Sequence, residues 1–240
     1  MQLSKRLQAV ADMVTKGNRV ADVGCDHAYT SIYLAKNQIA EHIIAMDINQ
    51  GPIDRAKENI IKYGCIEKIE TRKSNGLMEL NVGEVDSVVI AGMGGALMVQ
   101  ILTDCLNVMK TVRELILQPQ SEIYKVRHLL SEQEFIIIEE NMLKEDGKYY
   151  VMMKAVPRQS VDKDQNYTLF KEEHFHYGKL LLESRNMVLR EFLLWDLDIC
   201  NEIYKALEHN SSDQAQQREK ELKDRMELID HGLEYFKICD

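Results

Sequence analysis

The sequence predicts an α/β fold with a mostly parallel, Rossmann-like sheet of seven strands, followed by a smaller helical domain. Apolar strand segments alternate with amphipathic helical segments through residue 156, which is typical of a parallel sheet with helices on both faces. Asp146-Gly147 joins the last two strands and predicts an antiparallel hairpin, because no crossover helix fits there. After Pro157 the remaining patterns are helical.

The predicted elements follow one another from the N-terminus. An amphipathic helix comes first, with Leu3, Leu7, Val10 and Val14 at helical spacing. Strands are predicted at residues 19–23, 43–47, 68–72, 87–91, 114–118, 134–139 and 149–156. Helices are predicted in most of the gaps, including 51–63, 96–109 and 123–131. A parallel sheet that ends in an antiparallel hairpin is the layout of class I methyltransferases and differs from that of most dehydrogenases.

The C-terminal third contains two apolar stripes with heptad-like spacing. The first stripe consists of Leu193, Leu197, Cys200, Tyr204 and Leu207, and the second of Leu222, Met226, Ile229, Leu233 and Phe236. A polar break at 210–212 separates them, so we expect an antiparallel helical hairpin of the coiled-coil type. The polar stretch 158–166 predicts a linker. The predicted domains are therefore residues 1–158 and 159–240.

Composition limits the class of protein. A chain of 240 residues can hold one α/β core and a smaller appendage. Its five cysteines are far apart and form no C-x-x-C pair, so we expect neither a metal site nor a disulfide framework. No signal-peptide core or apolar run of membrane-spanning length is present. We expect a soluble, cytoplasmic protein that does not bind membranes, and the sequence leaves its oligomeric state open, a monomer included.

The net charge of −9 is unevenly distributed along the chain. Residues 1–160 contain 19 Lys and Arg against 21 Asp and Glu, whereas residues 161–240 contain 11 against 18. The acidic excess therefore belongs to the C-terminal third, and the predicted α/β domain is close to neutral. Local basic patches on that domain can still bind phosphates, so the net charge does not exclude a nucleic-acid partner.

The first two strands indicate an adenosine-containing cofactor. The strand that includes Val20 to Val23 breaks at Gly24, and a helical pattern begins near Tyr29, which is the strand, turn and helix of a nucleotide-binding unit. The second strand ends in an acid, Asp47. A carboxylate at this strand tip accepts hydrogen bonds from both ribose hydroxyls in such folds. An exposed acid that caps the next helix is the alternative for Asp47.

The turn favours S-adenosylmethionine over a dinucleotide. A dinucleotide needs G-x-G-x-x-G to bring its pyrophosphate against the helix N-terminus, but Asp26 replaces the second glycine. A carboxylate there repels an anion and suits the sulfonium and ammonium groups of S-adenosylmethionine. We expect Asp22 to bind backbone N–H groups of the turn or the methionine ammonium. Asp26 is a candidate cofactor contact, with a plain turn residue as the alternative.

The fourth strand ends in Ala91-Gly92-Met93-Gly94-Gly95. Many amino-group methyltransferases have Asn/Asp-Pro-Pro-Tyr/Phe at this place, and that polar clamp is absent. Its absence suits a ring nitrogen, because adenine N1 offers an in-plane lone pair and has no proton to lose. We expect the three glycines to bring the backbone close to the methyl donor and Met93 to pack on the base. A tight turn without ligand contact is the alternative.

Five strings together resemble a known family. They begin at Leu3 (LSKRL), Asp22 (DVGCDHAY), Ala91 (AGMGG), Leu115 (LILQP) and Glu145 (EDGKY). The combination is similar to the bacterial tRNA adenine-N1 methyltransferases called TrmK, and the similarity runs from the N-terminus to about Val156. The resemblance implies S-adenosylmethionine-dependent methylation of the adenine at position 22 in the D-arm of tRNA. The helical tail fits the small coiled-coil domain of that family.

The resemblance and the strand tips together give the expected site. The expected cofactor contacts are Asp22, Gly24, Cys25, Asp26, His27, Asp47, Ile48, Ser74, Asn75, Gly76, Ala91, Gly92 and Met93. The loop 73–77 departs from the Gly-Asp-Gly-Leu expected there, but the amide oxygen of Asn75 can still accept from the adenine N6 amine. The expected catalytic residues are Asp26, His27, Tyr29 and Met93, and the expected RNA contacts are Lys5, Arg6, Lys144 and Lys148.

For several of these residues a role in packing or on the solvated surface remains as the alternative. His27 and Tyr29 either stack on an adenine extruded from the D-arm or are ordinary packed residues. Lys5 and Arg6 either contact phosphate or form a solvated helix face. Two other functions also remain open: a methyltransferase of another RNA or of a small molecule, and a non-catalytic RNA-binding module with a methyltransferase fold.

Overall fold

The computed structural model describes residues 2–162, 169, 171–207 and 212–237. The chain divides into two compact units, Met1–Thr168 and Leu169–Asp240. The predicted domain boundary after residue 158 stays a prediction, and it falls ten residues before this division. Residues 163–166 of the predicted linker 158–166, and residues 210–211 of the predicted break 210–212, lie outside the described residues.

The first unit is built on a sheet of seven strands in the order β3-β2-β1-β4-β5-β7-β6. The strands are β1 Val20–Val23, β2 Ile43–Asp47, β3 Ile69–Lys73, β4 Ser87–Met93, β5 Glu114–Pro119, β6 Phe135–Glu145 and β7 Lys148–Pro157. The first five strands are parallel, whereas β7 is antiparallel to both β5 and β6. The expected mostly parallel sheet of class I methyltransferases is confirmed.

The helices of this unit precede the first strand or lie between strands. They are α1 Lys5–Asp12, α2 Tyr29–Lys36, α3 Gln50–Lys62, α4 Gly95–Asp104, α5 Leu106–Met109 and α6 Ile123–Glu132. The four residues of β1 are buried, as are those of β2 up to Met46, because helices cover such strands on both faces. Because β1 to β5 are parallel, their carboxyl ends lie at one edge of the sheet. Open α/β folds bind their ligands at this edge.

Two sequence expectations about single elements need correction. The helix predicted at 96–109 is two helices, because the backbone of Cys105 leaves the helical region at φ −130° and ψ 45°. The strand predicted at 134–139 continues to Glu145 and pairs with β7 along its whole length. Asp146 and Gly147 both have positive φ, 50° and 75°, as expected of a two-residue hairpin turn.

The second unit contains a helical hairpin. After a π-helical turn at His174–Gly178 and the short α7 at Lys179–Glu183, the long helices are α8 Met187–Leu207 and α9 Asp213–Glu234. Asp196 binds Arg225, and Tyr204 binds Glu219, so the two helices run antiparallel. This confirms the predicted antiparallel helical hairpin. In the part of the chain that the structure describes, no helix is both long and apolar enough to span a bilayer.

Candidate active site

The turn between β1 and α2 is fixed to the neighbouring strand. The backbone N–H groups of Gly24 and Cys25 donate to the carbonyl oxygen of Met46, at 2.8 and 2.9 Å. Gly24 has a φ of 75°, which residues with a side chain rarely adopt. A Cβ on Gly24 would lie 2.2 Å from the terminal methyl of Met93. Among the described residues outside the turn itself, only the flexible end of Met93 comes within 4 Å of this position.

Asp22 lies in β1 directly before the turn and is 5% exposed. Its carboxylate accepts a hydrogen bond from the hydroxyl of Ser31 at 2.6 Å, in the first turn of α2. Burial raises the pKa of Asp22 to about 6, and the hydrogen bonds from Ser31 offset only part of this rise. The sequence pattern had indicated the backbone of the turn or the cofactor as partners and had not indicated Ser31.

Asp47 ends β2, as expected, and is partly buried. One of its carboxylate oxygens accepts from the backbone N–H of Asn49 at 2.9 Å, which holds the side chain at the strand tip. No second hydrogen bond to this carboxylate is made by the residues that the structure describes. An ionised carboxylate accepts several hydrogen bonds, so capacity is left for a ligand. The next side chain, Ile48, is apolar and 53% exposed.

The loop after β3 is attached to this strand tip. The N–H of Ser74 donates to the carbonyl oxygen of Asp47 at 2.9 Å. The buried Ser74 hydroxyl donates to the Gly76 carbonyl oxygen at 2.8 Å and accepts from the Glu79 N–H at 3.2 Å. Gly76 is buried with a φ of 58°, whereas Asn75 is exposed. The Ser74 side chain thus holds the loop, and the Asn75 side chain is accessible to a ligand.

The tip of β4 contains a bulge at Gly92. The pairing of β4 with β5 shifts between Ala91 and Met93, and Gly92 between them has a φ of 81°. A bulge of this kind places one extra residue in the strand and redirects the next side chain. Gly94 follows as the N-cap residue of α4. The bulge therefore determines where Met93 points relative to the β1 turn.

Gly95 has a packing role that the sequence did not indicate. A Cβ at Gly95 would lie 2.5 Å from the carbonyl oxygens of both Ser121 and Glu122. The Gly95 N–H donates to that same Ser121 oxygen at 2.9 Å. Because backbone atoms cannot move aside as a side-chain end can, a glycine is required here for the loop before α6 to approach. This role is independent of any ligand.

His27 and Tyr29 form an aromatic pair beside the turn. Their ring centres are 5.4 Å apart and the ring planes differ by 14°. Both side chains remain 39% exposed, and the backbone of His27 is held by a 3.0 Å hydrogen bond from the Asn59 side chain to its carbonyl oxygen. Stacked, partly exposed rings offer a face to a planar base.

Asp26 has a cationic partner that the sequence pattern did not indicate. The guanidinium of Arg55, in α3, donates to its carboxylate at 2.7 Å, and Nε2 of His27 lies 3.5 Å from the other carboxylate oxygen. The pair is exposed, with 57% of the Asp26 side chain accessible. A guanidinium at this distance offsets most of the negative charge that Asp26 was expected to supply to the turn.

Cys25 also lies in the turn, and its thiol is buried. Burial raises the pKa of this thiol, and the neighbouring carboxylates, Asp22 first, raise it further. The thiol is therefore protonated near neutral pH and does not act as a nucleophile, because nucleophilic cysteines react as thiolates.

The four expected RNA contacts lie on two segments that meet. The carboxylate of Glu145, at the end of β6, accepts from the backbone N–H groups of Lys5 and Arg6 at 2.7 and 3.2 Å. The first helix therefore starts at the tip of the β6–β7 hairpin, which also contains the exposed Lys144 and Lys148. Lys5 is exposed as well, but the Arg6 side chain is partly buried and binds Gln118.

In the described residues, no group of three or more His, Cys, Asp or Glu side chains could hold a metal ion. One cavity lies away from the strand tips. It has a volume of about 600 Å³ and is lined by Lys110, Phe135, Pro157 and their neighbours. Phe135 begins β6 and Pro157 ends β7, so this cavity lies toward the opposite edge of the sheet from Asp47.

Comparison with known proteins agrees with this geometry. Residues 3–153 match a protein family described as a methyltransferase domain. Over 238 residues the chain is 36% identical to tRNA (adenine(22)-N(1))-methyltransferase of Bacillus subtilis, which covers 97% of this chain and 99% of that protein. The chain belongs to the TrmK family.

Solved structures of relatives share the whole architecture. The crystal structure of the B. subtilis m1A22 tRNA methyltransferase TrmK is similar with a TM-score of 0.85 and 34% identity, covering 97% of this chain and 99% of that one. Sp1610 of Streptococcus pneumoniae, solved in complex with S-adenosyl-L-methionine, has a TM-score of 0.80 and 29% identity, covering 97% of this chain and 100% of that one. The similarity thus includes the C-terminal helices.

The residues of the site fit S-adenosyl-L-methionine. Asp47 has unused acceptor capacity for ribose hydroxyls, and Gly24 has no side chain to keep a ligand from the backbone of the turn. Asp22 adds a buried carboxylate on the same turn, which suits a ligand that has an ammonium group and a sulfonium.

Proposed function

We propose that this protein is an S-adenosyl-L-methionine-dependent enzyme that methylates N1 of the adenine at position 22 in the D-arm of tRNA. The observation that carries the proposal is the convergence of Gly24, Asp47 and Gly92 at the tips of three neighbouring strands. The similarity over 97% of the chain to a protein named tRNA (adenine(22)-N(1))-methyltransferase supports the same substrate and position.

On the cofactor side, the second and third strand tips hold the adenosine. Asp47 accepts hydrogen bonds from the two ribose hydroxyls with the oxygen capacity that Asn49 leaves unused. Ile48 packs against one face of the cofactor adenine, and the Asn75 amide accepts from its N6 amine. Ser74 and Gly76 shape the loop that brings Asn75 to this place.

The first and fourth strand tips hold the methionine portion. The backbone from Gly24 to His27 follows the cofactor closely, with Asp22 fixing the turn from below through Ser31. Ala91 and Gly92 limit the space on the side of β4, where the bulge presents their backbone. In this arrangement Cys25 contributes backbone contacts, since its thiol is buried.

The chemistry requires alignment more than proton transfer. The bound cofactor supplies an electrophilic methyl group on a sulfonium. Adenine N1 attacks with a lone pair that carries no proton, so the site needs no general base, and the absence of a polar clamp between Ala91 and Met93 is consistent with this. The task of the chain is to hold N1 in line with the methyl–sulfur bond and to exclude water.

The target base stacks on residues around the β1 turn. His27 and Tyr29 present their joined ring surface, and the mobile end of Met93 packs on the base from the β4 side. The base must leave the D-arm stack before N1 is reachable. Asp26 contributes to the favourable potential for positive charge, but Arg55 reduces this contribution.

We also propose that the tRNA binds along the start of α1 and the tip of the β6–β7 hairpin. Lys5, Arg6, Lys144 and Lys148 lie on these two segments, which Glu145 joins. Phosphate contacts supply most of the affinity of nucleic-acid complexes. The proposed substrate places the protein in the cytoplasm, where tRNA is modified.

A methyl-transfer assay tests the proposal. The purified protein is incubated with methyl-labelled S-adenosyl-L-methionine and an unmodified tRNA transcript, with a transcript in which guanine replaces adenine 22 as the control. We expect label to enter only the first transcript. Label in both transcripts would contradict the position, and cofactor binding by calorimetry without any transfer would indicate a non-catalytic RNA-binding module.

A further inference from the structure

The guanidinium of Arg6 lies at the tips of β4 and β5. Its Nη1 donates to Oε1 of the fully buried Gln118 at 2.6 Å, and its Cζ lies 5.4 Å from the centre of the Tyr150 ring. The same Nη1 is 3.4 Å from the point where a Cβ on Gly92 would stand. The charge is therefore next to the bulge that shapes the proposed methyl-transfer site.

Among the described residues, no carboxylate forms an ion pair with the Arg6 side chain. Other arginines of the same unit differ, since Arg19 pairs with Asp86 at 2.9 Å and Arg72 pairs with Glu84 at 2.8 Å. A guanidinium has five N–H donors, and a neutral amide and an aromatic face use few of them. A partly buried cation with this surplus is suited to an anion from outside the chain.

The position of Arg6 is fixed through its backbone. Glu145 accepts from the N–H groups of Lys5 and Arg6, and the Ser4 hydroxyl accepts from the Leu7 N–H at 3.2 Å. The Glu145 carboxylate thus binds the start of the helix and forms no ion pair with the Arg6 guanidinium. The side chain is held in place before any substrate arrives, which reduces the entropy cost of binding.

We infer that Arg6 binds a phosphate group that flanks the target adenosine, and that Gln118 and Tyr150 position its guanidinium for this contact. The inference rests on the proposed function. Methylation at N1 leaves the adenine positively charged, so a guanidinium against the base would repel the product. A phosphate of the extruded nucleotide is an anion that enters the site with the base, and a planar guanidinium binds it through two parallel hydrogen bonds.

The carboxylate of the cofactor's methionine is a second oxyanion that could reach a cation here. The two sources are separable, because a contact to the cofactor changes cofactor affinity in the absence of RNA. A contact to the tRNA phosphate changes the kinetics with tRNA and leaves the cofactor affinity of the free enzyme unchanged.

The experiment combines a protein variant with a neutralised phosphate. Methylation is measured for the unaltered enzyme, Arg6→Gln and Arg6→Lys, on tRNA with a methylphosphonate either 5′ or 3′ of adenosine 22. Arg113→Gln is the matched control, because Arg113 is 75% exposed, pairs with Asp86 at 3.3 Å and precedes β5 at the opposite sheet edge. Cofactor affinity is measured by calorimetry for each variant.

We expect Arg6→Gln to lower kcat/KM for unmodified tRNA roughly 10- to 100-fold, as the loss of charge-assisted hydrogen bonds predicts, with cofactor affinity unchanged. One methylphosphonate should lower the rate of the unaltered enzyme similarly and should not lower that of Arg6→Gln further. Arg6→Lys should recover part of the loss, because lysine restores the positive charge but cannot make the two parallel hydrogen bonds of a planar guanidinium. Arg113→Gln should behave as the unaltered enzyme does.

The inference would be overturned if each methylphosphonate lowered the rate of Arg6→Gln by the same factor as that of the unaltered enzyme. The loss from the neutral phosphate and the loss from the substitution would then be independent. So would a loss of cofactor affinity in Arg6→Gln, which would assign the guanidinium to the cofactor carboxylate or to the fold. If the unaltered enzyme methylates no tRNA at all, the proposed function itself fails. That result differs from every outcome above.

Discussion

Asp47 has the clearest individual role among the residues of the site. It is the partly buried acid at the tip of β2, and one of its oxygens is already fixed by the Asn49 N–H. We expect Asp47→Ala to weaken S-adenosyl-L-methionine binding roughly 10- to 100-fold in calorimetry, because two hydrogen bonds to an ionised acceptor are lost. Asp54→Ala is the control, since Asp54 accepts from the Gln50 side chain on the surface of α3. Equal affinities for both variants would contradict the assignment.

Asp22 gives the protein a pH-dependent stability term. Burial raises its pKa to about 6, above the unfolded value of about 3.9. An acid whose pKa is raised by folding stabilises the fold fully below the unfolded pKa, and this contribution is lost as the pH rises through the folded pKa. When the pH is lowered from 7 to 5, the unfolding free energy of the unaltered protein should therefore rise by about 1 kcal/mol relative to that of Asp22→Asn.

Urea denaturation without cofactor, at both pH values, measures this difference. The comparison with Asp22→Asn cancels the other titrating groups, such as Glu84, whose pKa the Arg72 guanidinium lowers to about 2. A difference between the two proteins that does not change with pH would show that Asp22 is solvated in the folded state.

The sequence indicated the residues at strand tips more readily than their partners. Asp47 follows a recognisable apolar strand, and parallel strands bring their carboxyl ends to one edge, so its place was predictable. Arg55 reaches Asp26 from a different helix, and Arg6 reaches Gln118 across 112 positions of sequence. Such pairs depend on how helices are rotated on the sheet, which residue spacing alone does not determine. The polar Gln118 at the end of a buried strand was the one available signal.

Among the elements, the turn after β1 is the one whose geometry most restricts the sequence. Gly24 and Gly17 both have positive φ, 75° and 91°, but only Gly24 has a side chain, Met93, where a Cβ would stand. We expect alanine at either position to lower the unfolding free energy by about 1 to 2 kcal/mol. Gly24→Ala alone should also weaken cofactor binding, measured by calorimetry, because its methyl group would clash with the end of Met93 and displace that side chain beside the proposed cofactor site.

Gly17→Ala is the matched control for backbone strain, since no described residue beyond its two chain neighbours lies within 4 Å of its Cβ position. If the two variants lose cofactor affinity to the same extent, the effect comes from general destabilisation and the role of the turn is refuted.

Element types were more predictable than element ends. The alternation of strands and helices and the Asp146-Gly147 turn predicted a mostly parallel sheet that ends in an antiparallel hairpin, and the structure confirms this. The strand β6 extends six residues beyond its predicted end. These six residues were not predicted as strand because four of them have polar side chains, in a pattern that resembles a loop. Their backbone pairs with β7 nonetheless. The break at Cys105 was not predictable, since helical spacing continues through it.

At the scale of the whole molecule, the charge distribution bears on RNA binding. The net charge of −9 belongs mainly to residues 161–240, and the proposed tRNA contacts lie in the other, nearly neutral part. Lys144→Gln with Lys148→Gln should weaken tRNA binding and reduce the slope of log affinity against log salt by about 1 to 2, because two phosphate contacts are lost. Cofactor affinity should not change.

The control pair for this measurement is Lys110→Gln with Arg113→Gln. Both residues lie near the start of β5, at the sheet edge opposite the strand tips, and their removal changes the net charge by the same amount. Equal salt slopes for the two double variants would show that the hairpin tip contributes only net charge and makes no phosphate contact.

Primer extension on the reacted tRNA shows whether the methyl group goes to N1 of adenine 22. A methyl group on N1 blocks the Watson–Crick edge, so reverse transcriptase stops one nucleotide before the modified base. We expect a new stop directly 3′ of position 22, which depends on the cofactor and is absent with Asp47→Ala. Incorporated methyl label with read-through at position 22, or a stop elsewhere, would contradict it.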